Sequence, residues 1–317
     1  MTDGPLPRVV ADTPLDEVVL KLLEGRVEVL PWNAALEETD SSVTGLYTYG
    51  HLPVDGPMMD RLPGLKVISN YGVGVDHIHL PDAGERNIPV GNTPGILNGA
   101  TADMAFTLLL AAGRRLVEGD RYARGPEFTH YDPGYILGRE IHGTTLGIIG
   151  MGRIGTQVAR RAQGFEMRVL YHNRTRRPDI EAELGVQYAE FETLLAESDY
   201  VVLMVPLTDE TRGLIDAAAL AKMKSTATLV NIARGPVVDT QALYEALRDG
   251  VIYAAGLDVT DPEPLPRDHP LLGLENVTIA PHLGSATYET RQKMAEMSVA
   301  NLLVGLAGEE LPNRVEA

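Results

Sequence analysis

The chain has 317 residues, enough for about two domains, and it combines a formal charge of −17 with the composition of a soluble α/β protein. No basic tract offsets this charge, so we expect neither nucleic acid nor an anionic membrane as a partner. The absence of cysteine excludes disulfides, thiolate catalysis and cysteine-ligated metals. Without a signal-sequence pattern or an apolar stretch long enough for a bilayer, a cytoplasmic protein is expected.

The first 97 residues predict a small α/β domain. Short β-like runs, separated by polar or helix-compatible segments, lie at residues 8–11, 27–30, 45–49, 66–69 and 88–90. A turn cluster at residues 92–95 then closes this part of the chain.

Residues 101–115 predict a helix that is apolar almost all round, and such helices are usually buried between domains or subunits. Residues 118–144 show no regular pattern, and we interpret them as an excursion towards a partner subunit. Because a monomer could not easily shield these apolar residues, we expect a homodimer.

Three glycines with the spacing G-x-G-x-x-G, Gly150, Gly152 and Gly155, follow a short apolar run. The run predicts a strand, and an apolar stripe after the glycines predicts a helix. In such a strand-to-helix turn the first glycine permits the bend, the second lets backbone approach a pyrophosphate, and the third allows close packing. The N–H groups at the start of the helix favour an anion. We therefore predict a dinucleotide site here.

From the glycine turn onward the pattern indicates a second, larger α/β domain. Near-continuous apolar runs that alternate with helical segments indicate a parallel sheet covered on both faces. Six strands are predicted, the number in the doubly wound dinucleotide fold, at residues 146–149, 167–171, 200–205, 228–232, 254–259 and 277–280.

A helix predicted at residues 288–306 is expected to return to the first domain. The predicted fold is therefore two Rossmann-like or flavodoxin-like α/β domains with doubly wound parallel sheets and a cleft between them. Residues 1–97 and 289–317 would form a discontinuous substrate-binding domain, and residues 98–288 a dinucleotide-binding Rossmann domain.

The segment after the second strand of this larger domain bears on the choice of cofactor. Asn173 stands where an NAD-specific fold places an acidic residue that accepts from the ribose 2′-OH. Arg174 follows, and its guanidinium can hold a 2′-phosphate while Asn173 or Thr175 adds a neutral donor. A solvated basic loop is the alternative interpretation. We predict that NADP(H) is preferred, with NAD(H) as the alternative cofactor.

Three ionisable residues follow predicted strands of the same domain: Arg234, Glu263 and His282. In doubly wound sheets ligands bind beyond the carboxyl ends of the strands, so these residues can converge on one crevice. Taken singly, each also has a structural explanation as a loop or strand-capping residue.

Seven ordered motifs, at residues 70–76, 150–155, 205–208, 231–235, 256–259, 262–264 and 281–285, resemble those of the D-2-hydroxyacid dehydrogenases. The similarity covers nearly the whole chain and is greatest to the glyoxylate/hydroxypyruvate reductases and 2-ketogluconate reductases. It implies that Arg234 binds the substrate carboxylate and carbonyl, His282 donates the proton and Glu263 pairs with the histidine. It also implies substrate contacts by Tyr71, Ser285 and the N–H groups of Val73 and Gly74, and cofactor contacts by Arg153, Ile154, Pro206, Thr211, Ile232 and Asp258.

Physical chemistry favours the same roles for the three ionisable residues. Hydride addition to a 2-oxo acid builds charge on the carbonyl oxygen, and a histidine titrates in the range needed to protonate it. A carboxylate partner favours the imidazolium, and an arginine can bind a carboxylate through two parallel hydrogen bonds. The prediction is reduction of small 2-oxo acids such as glyoxylate and hydroxypyruvate, with 2-ketogluconate as a further candidate substrate.

Three alternatives remain for the function. An NAD-dependent phosphoglycerate dehydrogenase is disfavoured by Asn173 and Arg174, and a formate dehydrogenase by Glu263, where that enzyme has glutamine. A cofactor-sensing corepressor would keep the same three residues, so a nicotinamide absorbance assay has to decide. His77 and His79 have no common zinc spacing, and no metal is expected.

Overall fold

The computed structural model describes residues 5–37 and 39–316. The strands in these ranges are β1 (Arg8–Ala11), β2 (Glu28–Pro31), β3 (Val43–Thr48), β4 (Val67–Asn70), β5 (Val90–Gly91), β6 (Thr145–Ile149), β7 (Arg168–His172), β8 (Gln187–Tyr188), β9 (Tyr200–Leu203), β10 (Thr228–Asn231), β11 (Ala254–Leu257) and β12 (Val277–Ile279). The α-helices are α1 (Glu17–Leu23), α2 (Ala34–Glu37), α3 (Gly56–Asp60), α4 (Leu80–Glu85), α5 (Asn98–Gly113), α6 (Leu116–Arg124), α7 (Arg153–Gln163), α8 (Pro178–Leu184), α9 (Phe191–Glu197), α10 (Ala217–Lys222), α11 (Thr240–Arg248) and α12 (Tyr288–Leu306). Short 3-10 helices lie at Gly235–Val237 and Pro270–Gly273.

The chain folds into two compact units. Unit 1 comprises the described residues up to Leu97 together with those from Thr287 onward, and unit 2 is Asn98–Ala286. The second boundary lies two residues before the one expected from the sequence, because Thr287 caps α12 and so belongs to the helix that unit 1 contains.

Unit 1 contains a parallel sheet with the strand order β2-β1-β3-β4-β5. This is the flavodoxin-like order, as predicted for one of the two domains. All five predicted strands are present, each within two residues of its expected start. The strand predicted at residues 88–90 begins instead at Val90, since Pro89 has no N–H to donate to a neighbouring strand.

Helix α12 closes one face of this sheet and has the predicted bounds. It packs against β3, β4 and α1. A Cβ atom on Gly305 would lie 2.4 Å from Val67 Cγ2, so a glycine is required at this crossing. Polar contacts fix its register: Tyr47 OH lies 2.6 Å from Ser298 Oγ, and Ser69 Oγ donates to Ser298 O at 2.7 Å.

Unit 2 contains a parallel sheet with the strand order β12-β11-β10-β9-β6-β7-β8. Counted within the unit, this is the Rossmann order 3-2-1-4-5-6 with a seventh strand added. The prediction of six strands was wrong by one, because β8 has only two residues and shows no alternation in the sequence. The strand order reverses between β6 and β9, and this switch point is where such sheets bind dinucleotides.

Helix α5 is the apolar helix predicted at residues 101–115, and it begins three residues earlier. It packs against α7, β10 and β11 within unit 2, with Leu108 and Leu109 buried. A Cβ atom on Gly256 would lie 3.0 Å from Leu108 Cβ, so the helix approaches β11 closely. The sheet of its own unit therefore accounts for much of the apolar surface of α5.

The segment after α5 is more regular than predicted, since Leu116–Arg124 forms α6. Arg115 separates the two helices by adopting a left-handed φ of 52°. Residues 116–137, here called the exposed arm, carry large apolar side chains in contact with solvent: Leu116, Phe128, Tyr131, Tyr135 and Leu137 are 62%, 50%, 80%, 52% and 67% exposed.

In the part of the chain that the structure describes, no helix combines the length and the apolar content needed to cross a membrane.

Candidate active site

The glycine turn lies between β6 and α7, at the switch point of unit 2. Gly150 has φ +105°, and a Cβ atom there would lie 2.6 Å from the main-chain carbon of Met204 at the end of β9. A Cβ atom on Gly155 would lie 2.2 Å from Gly150 O, whereas one on Gly152 would meet no atom within 4 Å. Gly150 and Gly155 are thus required by packing, and Gly152 leaves open space for a ligand to approach the backbone.

Helix α7 begins directly after Gly152, so its first N–H groups face this space. Arg153 is exposed and Ile154 half-buried at that helix start. Such an N-terminus favours an anionic group. The turn therefore fits the pyrophosphate of a dinucleotide.

The loop after β7, residues 173–177, is attached to the glycine turn through one residue, Met151. Asn173 Oδ1 accepts a hydrogen bond from Met151 N at 3.1 Å, and Arg177 Nη1 donates to Met151 O at 3.1 Å. Asn173 Nδ2 also donates to Thr175 O at 3.0 Å. The side chain of Asn173 therefore shapes the loop as well as occupying the position of the missing acid. We call residues 173–177 the basic loop.

The three arginines of the basic loop have different surroundings. Arg176 binds both oxygens of Glu181 at 2.7 Å, and Arg177 binds both oxygens of Asp179 at 3.0 and 2.7 Å. Arg174, with its side chain 91% exposed, has an ion-pair distance of 3.9 Å to Glu210. Of the three guanidiniums, that of Arg174 is the most available to a phosphate.

Glu181 is tightly bound in this arrangement. Hydrogen bonds from Arg176 and from the hydroxyl of Tyr171 lower the pKa of Glu181 to about 2. The carboxylate therefore stays ionised at any neutral pH and keeps Arg176 paired. The sequence shows three arginines within four residues but not this difference between their surroundings.

Three further residues are predicted to contact cofactor: Pro206 and Thr211 follow β9, and Ile232 follows β10. Thr211 Oγ1 donates to Pro206 O at 2.7 Å and accepts from Thr208 N at 2.8 Å, so it closes the loop after β9. Ile232 is buried immediately after β10. Their side chains shape the carboxyl end of the sheet.

Arg234 lies in a turn that a buried asparagine holds. Asn231 accepts from Ala233 N at 3.0 Å and donates to Arg234 O at 2.9 Å. A Cβ atom on Gly235 would lie 1.9 Å from Thr260 O, so this turn abuts the segment after β11 that carries Glu263. The guanidinium of Arg234 donates to Ala233 O at 2.9 Å, which orients it along the turn.

Glu263 and His282 form a hydrogen-bonded pair, with 2.7 Å between Glu263 Oε1 and His282 Nδ1. Burial acts to raise the pKa of Glu263, but the hydrogen bond and charge of His282, a hydrogen bond from Thr260 N and the charge of Arg234 outweigh it, and the pKa is lowered. The carboxylate is therefore ionised at neutral pH and can stabilise an imidazolium. The other ring nitrogen of His282, Nε2, is the one predicted to exchange a proton with a substrate.

His282 has a left-handed backbone, with φ +56°, which is uncommon for a residue with a side chain. Asp258, only 2% exposed, holds this turn. Its carboxylate accepts from Leu283 N at 2.6 Å and Gly284 N at 2.8 Å, and its main-chain oxygen accepts from His282 N at 2.9 Å. Strained backbone that is held by its surroundings is frequent at active sites.

These contacts give Asp258 a structural role, and its predicted contact with the nicotinamide end of the cofactor stays a prediction. Both carboxylate oxygens bind the His282 turn, and burial raises the pKa of Asp258 against the opposing effect of those N–H groups. Ser285, predicted to bind substrate, is half-buried directly after this turn.

In unit 1, residues 71–74 form a loop whose carbonyl oxygens are bound by side chains. Thr93 Oγ1 donates to Tyr71 O, Asn92 Nδ2 donates to Val73 O, and Asn70 Nδ2 donates to both Gly72 O and Gly74 O. Within the described ranges, the N–H groups of Val73 and Gly74 donate no hydrogen bond. Successive N–H groups of this kind can bind a carboxylate.

Tyr71 itself is directed away from this loop. The side chain is buried, its hydroxyl donates to Arg291 O at 3.1 Å, and its ring lies 4.6 Å from that of Tyr49. Tyr71 therefore has a packing role within unit 1. Its predicted contact with substrate stays a prediction, as do those of the N–H groups of its loop.

Residues 106–284 match the NAD-binding domain of the D-isomer specific 2-hydroxyacid dehydrogenases, and the chain belongs to this family. A glyoxylate reductase of Korarchaeum cryptofilum is 53% identical over 264 residues, which cover 83% of this chain and 80% of that protein.

Solved structures show the same similarity over nearly the whole chain. A Thermus thermophilus protein is 48% identical with a TM-score of 0.89, covering 98% of this chain and 100% of that one. An NADPH-dependent glyoxylate/hydroxypyruvate reductase of Sinorhizobium meliloti, solved with NADP and malonate, is 32% identical with a TM-score of 0.89, covering 98% and 96%. The chain is an oxidoreductase of this family, similar to its glyoxylate reductases.

Proposed function

We propose that the protein reduces small 2-oxo acids such as glyoxylate and hydroxypyruvate to D-2-hydroxy acids, with 2-ketogluconate as a further candidate substrate. The observation that carries the proposal is the 2.7 Å pair of Glu263 and His282 at the carboxyl ends of β11 and β12, on a family dinucleotide fold. The names of the relatives agree with this reaction.

Each residue has a defined task in the reaction. When bound, a reduced nicotinamide would supply the hydride. His282 donates a proton from Nε2 to the carbonyl oxygen, and the ionised Glu263 stabilises the imidazolium through Nδ1. Arg234 binds the carboxylate and carbonyl, because a guanidinium stays charged and can donate two parallel hydrogen bonds. The N–H groups of Val73 and Gly74 bind the carboxylate.

We also propose that NADPH is preferred to NADH. Asn173 leaves no negative charge where a 2′-phosphate would bind, and Arg174 keeps a largely exposed guanidinium beside it. The relative from Sinorhizobium meliloti is described as NADPH-dependent, which supports the same preference. Because nicotinamide cofactors are kept inside cells, we place the reaction in the cytoplasm.

A homodimer is the proposed assembly. Five large apolar side chains of the exposed arm are at least half exposed, and a second copy of the chain would cover them. Light scattering at working concentration tests this directly. A wild-type mass of one chain would contradict the proposal, and Leu137→Asp is expected to weaken the dimer if the arm is the contact.

The test of the reaction is a steady-state panel of 2-oxo acids, glyoxylate, hydroxypyruvate, 2-ketogluconate and 3-phosphohydroxypyruvate, each with NADPH and NADH. We expect turnover of the first two and a higher kcat/KM with NADPH. Cofactor binding without turnover of any acid would indicate a cofactor-sensing protein instead. Efficient turnover of 3-phosphohydroxypyruvate with NADH alone would indicate a phosphoglycerate dehydrogenase.

A further inference from the structure

The segment between β3 and α3 places a histidine beside the 71–74 loop of unit 1. His51 Nε2 lies 3.5 Å from the point that a Cβ atom on Gly72 would occupy, and Asn70 Nδ2 lies 3.6 Å from the same point. The imidazole therefore lies over Gly72, the neighbour of the two N–H groups that the proposed function assigns to the substrate carboxylate.

His51 is held there in an unfavourable backbone conformation. Its φ of +65° lies in the left-handed region, although the neighbouring Gly50 could have adopted it without strain. Strain of this kind persists only where the surrounding structure imposes it, and it concentrates at ligand-binding sites.

A buried carboxylate imposes this conformation. Asp12, only 4% exposed, accepts from Tyr49 N at 2.6 Å, Gly50 N at 2.8 Å and Leu52 N at 3.1 Å. These three donors surround His51 on both sides in the chain. A buried charge is costly unless it is fully hydrogen-bonded. The three main-chain donors meet this requirement for Asp12 and fix the conformation of residues 49–52.

The ring of His51 also has a neighbour that limits its rotation, since the ring centroid of His77 lies 4.9 Å away. The carbonyl oxygens of the 71–74 loop are meanwhile bound by Asn70, Asn92 and Thr93. An anion at this loop would therefore meet the N–H groups and the imidazole, and no unbound carbonyl oxygen.

We propose that His51 is a substrate-binding residue whose Nε2–H donates a hydrogen bond to the carboxylate held by Val73 and Gly74. The inference rests on the proposed function. Its contribution is to affinity for the acid, and it takes no part in proton or hydride transfer. It therefore affects all 2-oxo acids alike, whatever substituent they carry.

The experiment compares His51→Leu with His51→Gln in the full-length protein. Both variants carry the same backbone strain, but only glutamine keeps an N–H donor near the position of Nε2. For His51→Leu we expect KM to rise about tenfold for both glyoxylate and hydroxypyruvate, the loss typical of one hydrogen bond to a charged group, with kcat and the KM for NADPH within about twofold. His51→Gln should recover most of the affinity.

A control variant keeps the test decisive. His79→Leu is the matched control, because His79 is an exposed histidine of the same unit that pairs with Asp82 at 2.9 Å.

An unchanged KM in His51→Leu would overturn the inference, as would a rise confined to hydroxypyruvate or an equal loss in the leucine and glutamine variants. None of these results would affect the proposed function, which wild-type turnover tests by itself. Conversely, a wild-type protein without turnover would remove the proposed function before any variant is compared.

Discussion

Two polar regions of unit 2 are built in opposite ways. The turn at His282 is held by a buried acid, Asp258, through hydrogen bonds of 2.6 and 2.8 Å to main-chain N–H groups. The basic loop at residues 173–177 lies at the surface, where its arginines form ion pairs and Arg174 is almost fully exposed.

This difference in support corresponds to a difference in function: the His282 turn is proposed to serve proton transfer, and the basic loop to serve the choice of cofactor. Proton transfer depends on the position of one ring nitrogen of His282. The acid that holds its turn, Asp258, is buried, and hydrogen bonds there are strong and little screened. Recognition of a terminal phosphate depends mainly on charge, which an exposed and screened arginine can supply. Substitutions should therefore have large effects at the His282 turn and graded, smaller effects in the basic loop.

The largest effect is expected for His282→Ala. Removal of the proton donor should lower kcat by roughly 10²–10⁴-fold, while NADPH binding measured by fluorescence titration stays unchanged. His142→Ala is a matched control, because His142 also pairs with a glutamate, Glu166, at 3.3 Å but on the surface. Wild-type turnover of His282→Ala would remove this residue from the mechanism.

Asp258→Asn tests whether the turn needs its buried acid. The amide turns one acceptor into a donor that faces a main-chain N–H, so kcat should fall roughly 10- to 100-fold, in keeping with about 1.5–3 kcal/mol for a hydrogen bond to a charged group. If Asp258 serves only to hold the His282 turn, its replacement removes no bond to cofactor. The dissociation constant for NADPH should then change less than about twofold.

The outcome also distinguishes the two roles considered for Asp258. If its carboxylate served mainly to bind the nicotinamide end, NADPH affinity would fall as much as turnover. Asp199→Asn is the control, because Asp199 also accepts from a main-chain N–H, that of Thr145 at 2.9 Å, but at the opposite end of the sheet.

Glu263→Gln should act on the pH dependence of reduction. Glu263 has a lowered pKa and is ionised across the neutral range, so it supports the protonated ring that reduction requires. Without that negative charge the proton is lost more readily as pH rises, and the alkaline limb of kcat/KM should move to lower pH by about one unit. An unmoved limb in initial-rate measurements would argue against the pair.

Arg174→Ala should change the cofactor preference without changing the chemistry. We expect kcat/KM for NADPH to fall about tenfold and that for NADH to stay within about twofold, because only the phosphate loses a charged donor. Asn173→Asp should move the preference in the same direction, by adding repulsion at the 2′ position. A wild-type ratio that favours NADH would show the interpretation of the basic loop to be wrong.

The smallest effect is expected for Arg176→Met. Glu181 holds this guanidinium, and its pKa of about 2 keeps the pair intact throughout any assay range. Both cofactors should be used within about twofold of wild type, since a screened surface pair contributes little. A loss with NADPH as large as that of Arg174→Ala would mean that the two arginines share the phosphate.

Much of the fold could be predicted because its elements have long, clear patterns. The bounds of β1 and α12 agree with the prediction, and the strands that bear the site lie where expected. Strand β8 was missed because a strand of two residues is too short to show the alternation of apolar and polar residues. Helix α6 was missed because its residues, from Leu116 to Arg124, are mostly polar and bury no side chain.

The site could be predicted only as far as residue type and strand ends allow. The positions of Arg234, Glu263 and His282 follow from such reasoning, and their roles remain predictions until they are tested. The support given by Asp258 joins segments 25 residues apart, and no local pattern signals it. His51 was missed because a left-handed backbone would be expected at Gly50, and the histidine adopts it instead.

The return of the chain to unit 1 through α12 has a consequence for synthesis on the ribosome. Tyr47, Ser69 and Asn92 make hydrogen bonds with residues of α12 that are translated more than 200 positions later. Unit 2, which is inserted between the two parts of unit 1, is synthesised completely before α12 is available to complete unit 1. The face of β3 and β4 that α12 covers stays exposed during that interval. We therefore expect a chaperone to bind the nascent chain at this face.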